Sequence, residues 1–264
     1  DFDMQAGTVS AVLSGSVGLN KSTSGVVTVS GANDYSGTTT VSAGTLLLGA
    51  ADRLNNAGAL VVNGGTLDLG GYSNTVNSVQ LTSGAISNGT LTSATAFDVQ
   101  AGTISAVLSG SVGLIKSTSG IVSVSGANDY SGTSTVSAGT LLLGAADRLL
   151  NTSALVVSGG TLDLGGFSNT VNSAQLTSGA IRNGTLTSAT TFDMQAGTVS
   201  AVLSGNVGLT KTSVGSVTLS GGNLYTGTTT ISLGTLALGA ADRLLNTGTL
   251  VVSGGTFDLG GFSN

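Results

Sequence analysis

The fold is decided by the stretch SAGTLLLGAADRLNNAGALVVNGGTLDLGG, at residues 42–71. Glycine, any residue, then leucine occurs at Gly44 and again, 21 residues later, at Gly65, and each of these two glycines opens a short apolar segment. Short segments rich in leucine, valine and threonine, bounded by glycine and asparagine, are typical of β-strands and turns. The stretch therefore predicts short strands that return at a fixed spacing.

The same spacing continues outside this stretch. The motif, with leucine, isoleucine or valine at its third position, occurs at Gly44, Gly65, Gly84, Gly102, Gly120 and Gly139. A larger period, about 95 residues long, is marked by Phe2, Phe97 and Phe192, each followed by aspartate. We predict an all-β fold, a single right-handed parallel β-helix (β-solenoid), with about 19 residues per coil and five coils per 95-residue repeat.

The large period also sets the expected domain organisation. Solenoid repeats 1 and 2 span residues 1–95 and 96–190, and a truncated repeat 3 spans residues 191–264, all in one continuous β-solenoid. Since the chain begins inside the repeated motif, we expect it to be a piece of a longer repeat chain. The expected partners are that continuation, or copies of the same chain stacked head to tail or side by side.

Composition excludes several classes of protein. Only 7% of the residues are charged, the net charge is −5, and there is no cysteine and no histidine. No basic patch is available for phosphates, so we expect no nucleic-acid partner. No apolar run reaches the length of a membrane helix, and no thiol can form a disulfide or bind zinc. We therefore expect no cofactor, no metal site and no membrane insertion of this segment.

Counting positions from each motif glycine predicts which side chains stack on adjacent coils. Opposite charges coincide in every repeat, and stacked opposite charges stabilise a sheet by roughly 0.2–1 kcal/mol per pair. The predicted ion pairs are Asp3 with Lys21, Asp98 with Lys116, Asp193 with Lys211, Asp163 with Arg182, Asp34 with Arg53 and Asp129 with Arg148. The same count predicts a lumen column of Leu46, Leu67, Ile86, Ile104 and Val122.

Parts of the chain closely resemble a known family, the autotransporter-associated β-strand repeat. The resemblance lies in Ser30–Leu46 and Gly64–Val76, and recurs at 125–171 and 220–264. It implies a β-helical passenger of a secreted protein, extracellular or on the bacterial cell surface. It implies no particular activity, because such passengers serve as adhesins, matrix proteins and scaffolds.

We predict a structural module of a bacterial extracellular fibre, matrix or surface protein, with end-to-end stacking into a filament as one form. The alternative is an adhesin or autotransporter passenger that binds a host or glycan ligand. A polysaccharide-active enzyme is disfavoured, because equivalent aspartates lie about five coils, roughly 24 Å, apart and cannot share a bond. An ice-binding face would need two threonine columns, and only one is present, at Thr45, Thr66 and their equivalents.

Three further features leave alternatives open. Tyr35, Tyr130 and Tyr225 recur once per repeat, either as packed corner residues, which we favour, or as a glycan-binding row. Leu47 and Leu142 point outward by alternation, and we favour the following segment, 50–54 in the first repeat, folding back over them rather than a contact between fibres. Asn88 falls at an apolar position, either turned inward or marking a slip in register.

Overall fold

The structure, a computed structural model, describes every residue from Asp1 to Asn264. It contains β-strands and turns and no helix. The chain forms two compact units, Asp1–Gly132 and Thr133–Asn264. The boundary between them lies inside the second large repeat, so the repeat boundaries and the single continuous solenoid stay predictions. No helix that could span a membrane is present.

Unit 1 is built from fifteen short strands. They are β1 (Phe2–Met4), β2 (Gly7–Val9), β3 (Leu19–Lys21), β4 (Val26–Val29), β5 (Thr39–Val41), β6 (Thr45–Leu48), β7 (Ala59–Asp68), β8 (Ser73–Val76), β9 (Ser78–Ser87), β10 (Thr90–Ser93), β11 (Phe97–Val99), β12 (Gly102–Ile104), β13 (Val107–Ser109), β14 (Leu114–Lys116) and β15 (Ile121–Val124). Its seven coils begin at β1, β3, β5, β7, β9, β11 and β14, and each pairs with the next in parallel.

Unit 2 contains the remaining fifteen strands. They are β16 (Ser134–Val136), β17 (Thr140–Leu143), β18 (Ala154–Asp163), β19 (Ser168–Val171), β20 (Ser173–Arg182), β21 (Thr185–Ser188), β22 (Phe192–Met194), β23 (Gly197–Val199), β24 (Val202–Ser204), β25 (Leu209–Lys211), β26 (Ser216–Leu219), β27 (Thr229–Ile231), β28 (Thr235–Leu238), β29 (Leu250–Val252) and β30 (Thr256–Asp258). Seven coils follow, starting at β16, β18, β20, β22, β25, β27 and β29, again in parallel. The predicted all-β, parallel β-solenoid is confirmed in each unit.

Apolar side chains fill the lumen of each unit. Within unit 1, Leu46 pairs with Leu67, Leu67 with Ile86, and Ile86 with Ile104, and all four are buried. Unit 2 has the corresponding column of Leu141, Leu162, Ile181, Val199, Leu219 and Leu238. Full burial of such a side chain stabilises the fold by about 1.5–3 kcal/mol. Because a coil has no core of its own, this stabilisation depends on stacking.

The predicted register holds for three steps and then changes. Thr45 lies over Thr66, Thr66 over Ala85 and Ala85 over Thr103, as the spacing of the motif glycines predicts. In the next step the prediction is wrong: Ile104 pairs with Val124, and Val122 pairs with Gly102. The corner before β15 has four residues, 117–120, whereas the corner before β12 has two, 100–101. A two-residue shift keeps every side chain on its face, so Val122 is still buried.

The segment after β6 belongs to the coil wall. The Asp52 amide donates to the Ser73 carbonyl at 3.0 Å, and the Leu54 amide donates to Asn74 Oδ1 at 3.0 Å, both on the next coil. Asp52 adopts a left-handed conformation with φ of 52°, which turns the chain there. The expectation that this segment folds back over Leu47 is therefore wrong. Leu47 lies between Thr28 and Asp68 in an outward column and is half-buried.

Candidate functional sites: lysine corners and outer turns

All three lysines of the chain lie inside the lumen. Lys21, Lys116 and Lys211, here called the corner lysines, end the strands β3, β14 and β25 and have fully buried side chains. Each strand alternates, so the residues on either side of the middle position face inward. Lysine is almost never fully buried unless its amine finds partners. The corner lysines are therefore the most unusual charged groups of the molecule.

The ammonium of each corner lysine binds the backbone of the turn that follows it. Lys21 Nζ donates to the Thr23 carbonyl and, at 3.2 Å, to the Ala43 carbonyl on the next coil. Lys211 Nζ donates to the Ser213 carbonyl and, at 3.3 Å, to the Leu233 carbonyl. No carboxylate lies within ion-pairing distance of either amine, and burial lowers the pKa of both side chains. The amines act as hydrogen-bond donors that satisfy inward-facing carbonyls.

The predicted pairs between aspartate and lysine do not form, for a reason that the register explains. Asp3 pairs with Asn20, Asp98 with Ile115, and Asp193 with Thr210, each one position before the lysine. The step between coils on this face is one position shorter than the glycine count gave. A slip of one residue moves a side chain to the opposite face, so the aspartates face outward and Lys21, Lys116 and Lys211 face inward.

The outward aspartates bind amide side chains instead. Asp98 Oδ2 accepts hydrogen bonds from Gln80 at 2.8 Å and from Gln100 at 3.0 Å. In unit 2, Asp193 Oδ2 accepts from Gln175 at 2.6 Å and from Gln195 at 3.0 Å. Asp193 Oδ1 is buried without a hydrogen-bond partner. The charge of Asp193 opposes the lowering of the Lys211 pKa through space, although burial has the larger effect.

Asp163 and Arg182 do form an ion pair, since they are register partners on β18 and β20. Arg182 Nε donates to Asp163 Oδ2 at 3.0 Å, and Asn183 Nδ2 contacts both carboxylate oxygens at 3.0 and 3.1 Å. The Gly165 amide donates to Asp163 Oδ1 at 2.9 Å. The segment 163–167 with these partners is called the unit 2 outer turn.

The predicted pair of Asp34 and Arg53 is absent. Arg53 Nε donates to the Ala51 carbonyl at 2.6 Å, and Arg53 Nη1 donates to the Ser30 carbonyl at 3.0 Å. The guanidinium therefore caps backbone carbonyls of its own turn and the preceding coil, and Asp34 stays exposed. Asp129 and Arg148 belong to different units, and their pairing stays a prediction.

The recurring tyrosines are packed core residues, as favoured. Tyr35 and Tyr130 are fully buried and Tyr225 is nearly so. The Tyr225 hydroxyl lies 2.7 Å from Thr229 Oγ1, and each tyrosine ring lies near a phenylalanine, with ring centres 6.1–6.4 Å apart. Burial raises the pKa of Tyr35, and raises that of Tyr225 to about 12. A glycan-binding row built on these three rings is therefore excluded.

Sequence reasoning missed a second set of aromatic residues. Tyr72 is 42% exposed, Phe167 40% and Phe262 42%, each directly after a pair of glycines. Gly70 and Gly71 have φ of 63° and 83°, left-handed values that favour glycine. A Cβ on Gly70 would lie 3.2 Å from the Tyr72 ring and 2.3 Å from the Leu48 carbonyl. The doublet of glycines before an aromatic residue was the signal that could have found this turn.

The unit 1 outer turn, 68–72, lacks the arginine partner of its unit 2 counterpart and has Tyr72 in place of Phe167. Asp68 pairs with Ser87 instead of an arginine, and its Oδ2 accepts a hydrogen bond from Asn88 at 3.0 Å. Asn88 is exposed and left-handed, with φ of 55°. It is thus neither turned inward nor displaced by a slipped register, because it is the turn residue that ends the strand.

The remaining outer surface has no convergent chemistry. The predicted threonine column is interrupted by Ala85 in unit 1 and by Ala180 in unit 2. No cluster of three or more side chains that could hold a metal ion is present. What recurs is an exposed aromatic ring four residues after an aspartate, at Asp68 and Tyr72, at Asp163 and Phe167, and at Asp258 and Phe262.

Comparison with known proteins supports the resemblance found in the sequence. The passenger-associated-transport-repeat matches at residues 19–48, 114–143 and 209–238. The first match runs from β3, which carries Lys21, to the end of β6, and the third covers the equivalent strands of unit 2.

A curated relative carries a similar sequence. The adhesin BmaC autotransporter of Brucella suis biovar 1 (strain 1330) is 31% identical in an alignment of 243 residues that covers 83% of this chain. The chain spans only 7% of the length of that relative. No solved structure matches the chain. With three evenly spaced copies of the repeat, the chain is similar in sequence to the passenger-type β-helical repeats of autotransporters.

Proposed function

We propose that this chain is a structural segment of a secreted bacterial surface protein, extending a passenger away from the cell without catalysing a reaction. The main support is where the specialised groups lie. The charged side chains with the most unusual environment, the corner lysines, donate hydrogen bonds to carbonyls of the interior. The outside carries mainly short polar side chains, with scattered aspartates and exposed apolar side chains such as Ile121. A catalytic cleft needs different polar groups that converge on one place, and the outer surface has no such group.

The experiment compares adhesion of bacteria that carry the full-length parent protein with adhesion after deletion of residues 1–190. A scaffold predicts that an equally long stretch of unrelated passenger repeat restores adhesion to the deletion strain. It also predicts that the purified chain does not compete with whole bacteria for the surface. Competition by the purified chain, without recovery by the unrelated repeat, would contradict the scaffold proposal.

A second candidate function is direct binding of a host or glycan ligand. Two observations favour it: the relative is called an adhesin, and aromatic rings stand exposed at Tyr72, Phe167 and Phe262. Aromatic faces can stack on sugar rings, and the exposed carboxylate of Asp68, in the same turn as Tyr72, would supply a hydrogen-bond acceptor. A glycan array with the purified chain tests this candidate, and the matched control is the triple variant Tyr72→Ser, Phe167→Ser, Phe262→Ser. Equal signal from both proteins would remove the aromatic turns from the binding surface.

We also propose copies of the chain as partners, stacked head to tail. The support is that parallel ladders already join successive coils within each unit, and a head-to-tail contact of that kind does not close on itself. Negative-stain microscopy of the purified chain tests this proposal, because filaments should lengthen with concentration. Particles of one uniform size at every concentration would contradict it.

A further inference from the structure

The alternation of apolar and polar residues leaves one kind of register error without a penalty. A slip by one residue exposes the whole apolar face and is strongly disfavoured. A slip by two residues keeps each side chain on its face, and the shift at Gly102 and Val122 is a native example of such a step. In a chain of repeated valine, threonine and serine, something other than alternation must therefore exclude two-residue slips.

The corner lysines have contacts that depend on the register of three coils. Lys211 lies opposite Ile231, and its Nζ donates to the Leu233 carbonyl on the following coil. The same amine contacts Ser213 Oγ at 3.0 Å, and that hydroxyl donates to the Gln195 carbonyl on the preceding coil at 2.6 Å. Lys21 makes the same connections through Thr23, to Gln5 and Ala43.

We propose that the corner lysines fix the register of the solenoid by making two-residue slips costly. A slip of the next coil by two residues moves the Leu233 carbonyl about 6.6 Å along the strand, out of reach of Lys211 Nζ. The ammonium would then stay in the apolar lumen with fewer acceptors, and an incompletely paired buried charge is strongly unfavourable. The lysine contributes specificity of register rather than net stability, and this role does not depend on the proposed function.

The test uses cysteine pairs as reporters of register, because the chain has no native cysteine. Thr210 and Thr230 face outward as register partners. The pair Thr210→Cys with Thr230→Cys reports the native register. The pairs of Thr210→Cys with Thr228→Cys or with Ser232→Cys report slips of two residues in either direction. Strand spacing and rise place the slipped pairs about 8 Å apart in the native register, beyond the reach of a disulfide.

After refolding and oxidation, we expect only the native pair to form a disulfide when Lys211 is present. In the Lys211→Met background, the disulfide yield of the slipped pairs should rise at least about tenfold while the protein remains folded. Arg182→Met is the matched control, since it removes an outer cation and should leave the slipped pairs unreacted. Slipped pairs that stay as unreactive in folded Lys211→Met as with lysine would overturn the proposal.

A second variant covers the case in which Lys211→Met does not fold. Lys211→Gln keeps an N–H donor for the Ser213 turn, but its side chain is one bond shorter and falls short of the Leu233 carbonyl. The proposal depends on that contact between coils, so slipped disulfides should appear here too. Native disulfides alone in folded Lys211→Gln would show that the contact between coils does not control register.

Discussion

The lysine corner at Lys211 and the unit 2 outer turn place cations in opposite environments. Lys211 is fully buried, and its amine binds backbone carbonyls. The Arg182 side chain is 48% exposed and pairs with the Asp163 carboxylate. Both residues end strands whose side chains alternate, so a single position along the strand decides between lumen and solvent. The alternation of the strand therefore decides first whether a charged side chain faces the lumen or the solvent, and its hydrogen-bond or ion-pair partners matter second.

The burial of the corner lysines is most directly tested by their reactivity toward an amine reagent. Because Lys21, Lys116 and Lys211 are all buried, an amine-reactive ester should modify the α-amino group of Asp1 quickly and the lysines only after local opening. If opening requires about 3 kcal/mol or more, the lysines react at least about a hundredfold more slowly than in the denatured chain. Mass spectrometry of timed digests measures the rates. Rapid labelling of any lysine in the folded chain would show that this lysine is exposed to solvent, as Arg182 is.

The glycine pair of the unit 2 outer turn allows the cost of backbone strain to be measured separately from the cost of crowding. Gly165 and Gly166 both have left-handed φ, of 64° and 85°, so alanine costs about 1–2 kcal/mol at either position. A Cβ on Gly165 would also lie 2.3 Å from the Leu143 carbonyl, whereas a Cβ on Gly166 meets nothing. We therefore expect Gly165→Ala to destabilise unit 2 by at least about 2 kcal/mol more than Gly166→Ala.

Denaturant unfolding of the two alanine variants, with hydrogen exchange of the β18–β20 amides, measures that difference. Equal losses in the two variants would mean that the turn can move away from the Leu143 carbonyl. The unit 2 outer turn would then be less tightly packed against the preceding coil than the lysine corner is.

The pH dependence of stability should distinguish the buried lysines from the buried tyrosines. Burial lowers the folded pKa of Lys21, Lys116 and Lys211 below the ordinary value of 10.5. Between the lowered pKa and 10.5 the unfolded chain binds more protons than the folded chain, so the free energy of unfolding rises with pH. The pKa of Tyr225 is raised from 10.0 to about 12, so between these values the folded chain holds the proton and stability falls with pH.

Stability should therefore increase on the alkaline side until about pH 10 and then decrease. Denaturant titrations across this range measure the curve. Lys211→Met should flatten the rise, and Tyr225→Phe should flatten the fall. A wild-type curve without a rise below pH 10 would show that the lysine amines are better solvated than the corner geometry implies.

The smallest expected effect is in the outer ion pair. Arg182→Ser should destabilise unit 2 by about 0.2–1 kcal/mol, because the arginine side chain is half exposed and a solvent-screened ion pair stabilises little. Ser87→Arg should add the corresponding pair with Asp68 in unit 1, with a gain of similar size that high salt removes. Denaturant midpoints at low and high salt measure both. A loss well above about 1 kcal/mol in Arg182→Ser would mean that Asp163 depends on the pair for its burial.

The period of the sequence predicts most of this fold, but it predicts less of the contacts that individual side chains make at the sites. The step between Gly44 and Gly65, and the alternation after each, were sufficient to place Leu46 over Leu67. They could not give the shorter step from Asp98 to Ile115, because corner lengths follow backbone geometry that the glycine count does not contain. Because the step is one position shorter, the three lysines that were predicted to form ion pairs face the lumen and are buried. Asp163 and Arg182 lie within long strands, β18 and β20, where no corner intervenes, so their register was predictable.

The burial of the lysines has a consequence for anything that touches this chain. The formal charge of −5 counts seven cations against twelve anions, but three of those cations are enclosed by the coils. Of the cationic side chains, only the four arginines can form ion pairs with a molecule in direct contact, whereas Asp163 alone among the twelve aspartates is buried. At short range the outer surface is therefore more acidic than the composition indicates, and copies that lie side by side should repel one another most strongly in dilute salt.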